Sequence, residues 1–279
     1  MKLKYMKLLW IIILIITLLV FLYYQNNNIM VTSYKVDSKD ISKAFSGYKI
    51  VHLSDIHNKK FYKNGEDLIK KIYKEEPDLI VITGDLIDKR RYNETLSLNL
   101  LKKLIKIAPI YYVTGNHEFY SGKFIGLEKK LKELNVKVLR NERLEIRKDN
   151  KRLNILGIDD YTYFNNLIEY NDNLSKLTKG LEDKNFTVLL SHRPEKISEY
   201  KQYPIDLVLS GHSHGGQINL PFIGGLVAPD QGILPKYYSG LYKEDKTKMI
   251  INRGLGNSLF PQRLFNRPEI VVITLKRND

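Results

Sequence analysis

The chain contains six histidines, and five of them, His57, His117, His192, His212 and His214, fall just after short apolar runs, most of them near an Asp, an Asn or another His. The sixth, His52, lies inside such a run and reads as structural. Any one of the five alone would be an ordinary hydrogen-bonded side chain, and a lone Gly-Asp or Asn-His pair an ordinary turn. Together they form a pattern: Asp55-Ile56-His57, Gly84-Asp85, Gly115-Asn116-His117-Glu118, Ser191-His192 and Gly211-His212-Ser213-His214. In extended backbone, residues i and i+2 face the same way, which would turn Asp55 with His57, and His212 with His214, to one side. Imidazole and carboxylate without thiolate suit a first-row divalent ion such as Mn, Fe, Co or Zn better than calcium. Asp55, His57, Asp85, Asn116, His192, His212 and His214 make seven candidate ligands. That is too many for one tetrahedral ion and suits two ions sharing a carboxylate.

Such ligands need a rigid frame. Apolar runs at 48–54, 79–83, 110–114, 153–158, 187–191 and 207–210 read as buried strands, and segments 67–75, 95–107 and 124–134 carry apolar residues at helical spacing. This βαβ rhythm predicts an α/β fold with a parallel core and helices outside. Segment 137–147 and the stretch from 237 to the end are richer in strand patterns and suggest a second, mixed sheet. In open α/β sheets the loops after the strand carboxyl ends form the ligand crevice, so the five blocks are expected to converge.

Residues 8–24 read LLWIIILIITLLVFLYY, an uncharged run that follows Lys2, Lys4 and Lys7 and carries Trp10, Tyr23 and Tyr24 near its ends. A helix of that length rises about 25 Å, at the short limit for a bilayer span. Gln25, Asn26, Asn27 and Asn28 follow, where a cleaved signal peptide would carry small residues. The expectation is a single-pass membrane anchor over 1–25, a linker over 26–46 and a catalytic domain over 47–279. The basic cluster ahead of the span predicts that this domain faces away from the cytoplasm. With no cysteine among 279 residues, disulfide scaffolds, thiolate zinc sites and cysteine nucleophiles are excluded. The net charge of +14 is scattered through helices and loops rather than interleaved with stacking aromatics, which argues against nucleic acid as a partner. It suits a solvated surface, or attraction to an acidic membrane, wall polymer or phosphorylated substrate. No protein partner is indicated.

The order Asp-x-His, Gly-Asp, Gly-Asn-His-Glu, His, Gly-His-x-His resembles the calcineurin-like metallophosphoesterase superfamily over roughly residues 48–275. The membrane-anchored bacterial branch is the nearest likeness, from the N-terminal span, Gly215-Gly216-Gln217, Asn252-Arg253-Gly254-Leu255-Gly256 and the Pro268-Glu269-Ile270 ending. The resemblance implies a four-layer αββα sandwich with a dimetal site at the strand ends. It implies Asp55, His57 and His214 as ligands of one ion, Asn116, His192 and His212 of the other, and Asp85 as the bridge. It also implies His117 as the acid that protonates the leaving oxygen, during in-line attack by a hydroxide held between ions about 3.5–4 Å apart. Glu118 either orients His117 or caps the next helix, and Arg253 is a candidate phosphate clamp or a surface residue. The implied function is hydrolysis of a phosphodiester or pyrophosphate bond in a lipid- or envelope-linked substrate, as in pyrophosphatases acting on UDP-2,3-diacylglucosamine. A nuclease or phosphomonoesterase of the same superfamily is the alternative, ahead of a non-catalytic metal-binding scaffold. The stretch 220–234 (LPFIGGLVAPDQGIL) reads either as a lipid-facing mouth or as a packed loop.

Overall fold

The computed structural model describes residues 2–181, 185–257 and 259–278. Helix α1 (Lys2–Asn27) is long and apolar enough to cross a membrane by length and composition, and its most apolar window is exposed, with the turn at Phe21 and Leu22 touching the domain. The chain then enters two six-stranded sheets packed face to face.

The first sheet contains β1 (Met30–Ser38), β2 (Lys49–Leu53), β3 (Leu79–Thr83), β4 (Ile110–Val113) and β5 (Lys137–Val138), and the second begins with β6 (Glu142–Lys148) and β7 (Lys151–Gly157). The second sheet continues with β8 (Thr187–Leu190) and β9 (Leu207–Ser210). Two small hairpins follow, β10 (Asn219–Leu220) with β11 (Gly224–Gly225) and β12 (Val227–Ala228) with β13 (Gly232–Ile233). Strands β14 (Gly240–Glu244) and β15 (Thr247–Ile251) complete the second sheet, and β16 (Glu269–Arg277) returns to the first. The orders are β1-β16-β2-β3-β4-β5 and β14-β15-β9-β8-β7-β6. Strands β2 to β5 run parallel, as do β7, β8, β9 and β15.

The central strands of both sheets, such as β3, β8 and β9, are buried on two faces, so they are largely apolar and successive residues are divided between two cores. Ile50, Val81 and Val113 face the core between the sheets, with Ile155, Val188, Leu190, Leu207 and Leu209 opposite them. Val51, Leu53, Ile80 and Ile82 point outward to α2 (Glu66–Lys74), α3 (Glu94–Leu104) and α5 (Phe124–Glu133). Leu189, Val208 and Met249 pack under α6 (Leu167–Thr178) and α7 (Ile197–Tyr200). This is the expected sandwich of two mixed sheets between helical layers.

Three expectations need correction. Residues 26–46 are not a free linker: β1 pairs in parallel with β16 from Met30↔Glu269 to Ser38↔Arg277, and Ile29 is already buried in the core. Residues 137 and 138 extend the first sheet rather than the second. The last strand also belongs to the first sheet, antiparallel to β2 and inserted between it and β1. For β1 and β16 the partner strand is distant in sequence, and local pattern carries no record of it.

Candidate metal centre

Because β2, β3 and β4 are parallel, as are β8 and β9, their carboxyl ends share one edge of the sandwich, and all seven predicted ligands meet there. They form two overlapping groups. Asp55, His57, Asp85 and His214 bring ligand atoms within 4.8 Å of one another, and so do Asp85, His192 and His212. Asn116 Oδ1 joins the second group, 3.3 Å from His192 Nε2. Asp85 belongs to both: its Oδ2 lies 3.5 Å from His57 Nε2 and 3.4 Å from His192 Nε2. The other carboxylate oxygen, Oδ1, accepts the His117 backbone N–H at 2.9 Å, which fixes the rotation that aims Oδ2 between the groups.

The pairs at i and i+2 do face one cluster, but the backbone is not extended. Asp55, His57, Asp85, His212 and His214 have φ of 49°, 48°, 50°, 65° and 47°, all in the left-handed region that non-glycine residues seldom adopt. Strain of this kind persists where the surroundings enforce it. Here the surroundings are close: a Cβ on Gly211 would meet Ser54 Oγ at 1.8 Å and Asp55 Oδ2 at 2.4 Å. The Asn252–Gly256 motif serves the same end. Leu255 N–H donates to Ser54 O (3.1 Å) and Gly256 N–H to Asp55 O (2.7 Å), so this loop clamps the first ligand turn.

The donor chemistry fits divalent cations. His57 Nε2 and His214 Nε2 face each other at 3.2 Å, although two neutral rings can share only one proton between them. Burial pushes His57 down to about 3 and His214 well below its ordinary value, so both present lone pairs at neutral pH. Burial pushes the Asp55 carboxyl up, as expected of a carboxylate whose counter-charge a cation would supply. Burial opposes the ionised form of Asp85 too, yet His192 and His57 hold it well below the carboxylate range. Burial likewise opposes a charged His192, but Asp85 outweighs it and lifts the ring to about 10. A cation at this position would displace that proton.

Supporting contacts orient the ligands. His192 Nδ1 bonds Thr83 O at 2.7 Å, which leaves Nε2 for the cluster. His212 Nε2 meets Asp230 Oδ2 at 2.8 Å, which leaves Nδ1 3.1 Å from His192 Nε2. Asp230 is in turn bonded to Arg193, whose guanidinium grips buried Asp160 through Nε (2.8 Å) and Nη2 (3.1 Å). Asp230, Arg193 and Asp160 escape the sequence reading. Arg193 directly follows His192, the one available signal, whereas Asp230 sits in a loop with no motif. Asp88 also escapes it: its Oδ2 is 3.8 Å from His57 Nδ1, and its place three residues after Asp85 was the clue.

His117 Nδ1 accepts the Lys89 backbone N–H at 3.1 Å, which leaves the ring's proton on Nε2, and burial lowers its pKa. Glu118 does not orient His117. It accepts from Gly115 N (2.7 Å), Asp85 N (2.9 Å) and Ile87 N (3.2 Å), capping α4 (Asn116–Ser121) and fixing the Asp85 turn. Arg253 stands beside the ligand turns, its Cγ 3.0 Å from where a Cβ on Gly215 would lie, while its backbone N–H and Nε lie near Glu269 and its Nη1 near Met30 Sδ. His52 is structural, fully buried and bonded to Thr83 Oγ1 at 2.8 Å.

Residues 48–216 match the calcineurin-like phosphoesterase family. The chain belongs to that family. An uncharacterized metallophosphoesterase of Bacillus subtilis, YkuE, is 34% identical over 258 residues, covering 90% of this chain and 87% of that protein. The Escherichia coli phosphodiesterase YaeI is 28% identical over 237 residues, 82% of each. A bovine transmembrane protein with metallophosphoesterase domain is 31% identical over 88% of this chain, which spans 57% of that protein. Among solved structures, TT1561 of Thermus thermophilus aligns over 75% of this chain and 91% of its own, with a TM-score of 0.53 and 12% identity. At that identity the likeness shows the fold. The chain is accordingly a metal-dependent phosphoester hydrolase whose family uses two divalent ions.

Proposed function

We propose that the protein is a membrane-anchored phosphodiesterase cleaving a phosphodiester or pyrophosphate bond in a lipid- or envelope-linked substrate. In this reading Asp55, His57 and His214 hold one ion, Asn116, His192 and His212 the other, and Asp85 both. The observation that carries it is the single oxygen, Asp85 Oδ2, placed between His57 Nε2 and His192 Nε2. When bound, the two ions supply Lewis-acid charge to the attacking water and the phosphoryl oxygens. The protein supplies the rest. Glu118 holds the Asp85 backbone and the His117 amide its carboxylate, Asp230 and Thr83 O set the ring orientations of His212 and His192, and the neutral His117 ring offers its Nε2–H as a hydrogen bond to the charge that builds on the departing oxygen.

Support for the anchor and for a surface-bound substrate comes from the foot of α1. Lys59 Nζ, two residues after His57, donates to Asn26 O at the end of that helix (2.6 Å) and to Leu255 O of the clamping loop (2.9 Å). The span is therefore joined to the metal centre without an intervening tether. Lys2, Lys4 and Lys7 at the other end favour a domain outside the cytoplasm. Elemental analysis of Asp85→Ala tests the ligand assignment: it should lose at least one ion per chain, and two ions at full occupancy would refute it. Protease added to intact spheroplasts should digest the domain, and protection until lysis would reverse the orientation.

A further inference from the structure

Helix α1 meets the domain higher than its polar end. Phe21 packs on Phe265 with ring centroids 5.9 Å apart, and Gln262 Nε2 donates to Leu22 O at 3.1 Å. Arg267 donates to the Tyr24 hydroxyl at 2.7 Å. Phe21 and Leu22 belong to the uncharged run 8–24, whose helical length of about 25 Å falls short of a hydrocarbon core of about 30 Å. A span near the lower limit of length is accommodated by thinning of the bilayer and by flanking groups drawn to the interface, both of which keep its last apolar turn at that layer. Groups touching Phe21 and Leu22 must then lie at the same depth. No spacer relieves this, since Gln25 is already buried and Asn26 bonds to Pro261 O (2.9 Å) and Arg263 N (2.8 Å).

On the side of Phe265 the surface is apolar. Phe265 is 53% exposed, and Leu259 and Phe260, beside Pro261, are 65% and 48% exposed. Leu264 pairs with Ile218 and accepts from Asn219 N at 2.9 Å, which sets the β10–β11 hairpin against the same loop. Its tip, Phe222 and Ile223, is fully and 60% exposed. The tip is four residues from Ile218, or about 13 Å if extended. Exposed aromatic and aliphatic side chains on two loops joined to each other and to the foot of a membrane helix are unlike scattered surface hydrophobics. Segment 220–234 is packed at Gly225 and Ala228 and leaves Phe222, Ile223, Ile233 and Leu234 in the open.

We propose that Phe222, Ile223, Leu259, Phe260 and Phe265 seat in the interfacial layer of a lipid bilayer, so that the domain lies against the membrane. The cleft of about 370 Å³ running from His57 past Lys59, Arg91 and Asn257 then opens at headgroup level. Arg267, held beside Tyr24, faces the phosphate layer and favours acidic lipid. This rests on reading α1 as the anchor, and it makes the substrate a phosphoester carried at the membrane surface.

The absence of native cysteine permits a direct test. Single cysteines replacing Phe222, Leu259 or Phe265 in the full chain are labelled with an environment-sensitive fluorophore in phosphatidylcholine–phosphatidylglycerol vesicles, with and without doxyl-labelled lipid. Leu14→Cys reports insertion of α1, and Tyr73→Cys, on the exposed face of α2, reports bulk water. Quenching at Leu14 and at the three rim positions, with none at Tyr73, is expected. Quenching at Leu14 with no quenching at the rim overturns the proposal, as does a rim emission that shifts blue without quenching, which marks a second copy of the chain as the occupant. No quenching at Leu14 removes the anchor itself. The readout does not depend on activity, so an inactive but quenched protein would sink the phosphodiesterase reading and leave the docking intact.

Discussion

Gly115 follows β4 with φ −113° and ψ −177°, a conformation open to any residue, so Gly115→Ala tests contact and not backbone strain. The added Cβ would lie 2.3 Å from Asp85 Oδ1 and 2.5 Å from Asp85 N, and Cβ contacts below 3.0 Å essentially never occur. The oxygen must retreat by roughly 0.7 Å, in a packed interior that yields little. The backbone cannot absorb this, because Glu118 Oε2 holds both Asp85 N and Gly115 N. The displacement falls on the carboxylate shared by the two groups of ligands. A misplacement of about 1 Å costs about 10²-fold, so a ten- to hundredfold loss of kcat/KM is expected, with weaker binding of both ions. The assay is hydrolysis of bis-p-nitrophenyl phosphate by Mn²⁺-loaded full chain in detergent, with titration calorimetry for the ions. Gly126→Ala is the control: it lies within α5, its new Cβ would meet nothing within 4 Å, and its φ is not positive. It should leave activity unchanged and add about 0.5–1 kcal/mol of stability. Unchanged turnover and ion affinity in Gly115→Ala would refute the placement of Asp85.

His117→Ala should keep both ions yet lose roughly 10²- to 10⁴-fold toward alkyl diesters. The loss should be much smaller with a p-nitrophenolate leaving group; equal losses across a leaving-group series would take His117 away from the departing oxygen. Away from the site, burial raises Asp206 from 3.8 to about 6, although its carboxylate accepts Thr187 N at 2.8 Å. A folded-state pKa above the unfolded one means that stability falls as pH rises through this window. Asp206→Asn should therefore raise Tm at pH 7, by about 1–2 kcal/mol equivalent once partial exposure is allowed for. The gain should fade near pH 4, and an equal gain at both values would show that the carboxyl is not perturbed.

The motif blocks and the strands ahead of them are legible in the sequence, because a strand buried on both faces must be continuously apolar and its polar ending then stands out. The helical spacing of 67–75, 95–107 and 124–134 survives in α2, α3 and α5 for the same reason, since each buries one stripe. The apolar run at 8–24, long enough for a span, is legible from composition alone. Other features were decided only in three dimensions. Strand β1 owes its existence to β16, more than 230 residues away, and nothing in 30–38 names that partner. The residue types of the ligands are visible in sequence, but their convergence depends on left-handed turns at Asp55, His57, Asp85, His212 and His214, enforced by glycines and amides from other strand ends. The glycine-rich loop marks Arg253 in the sequence, but only the fold sets it against Glu269 from the last strand. Asp230 looked like nothing, and its loop folds back onto His212. Local spacing sets which side chains are offered to a site, while their orientation is set by partners that only the packed sheets bring near.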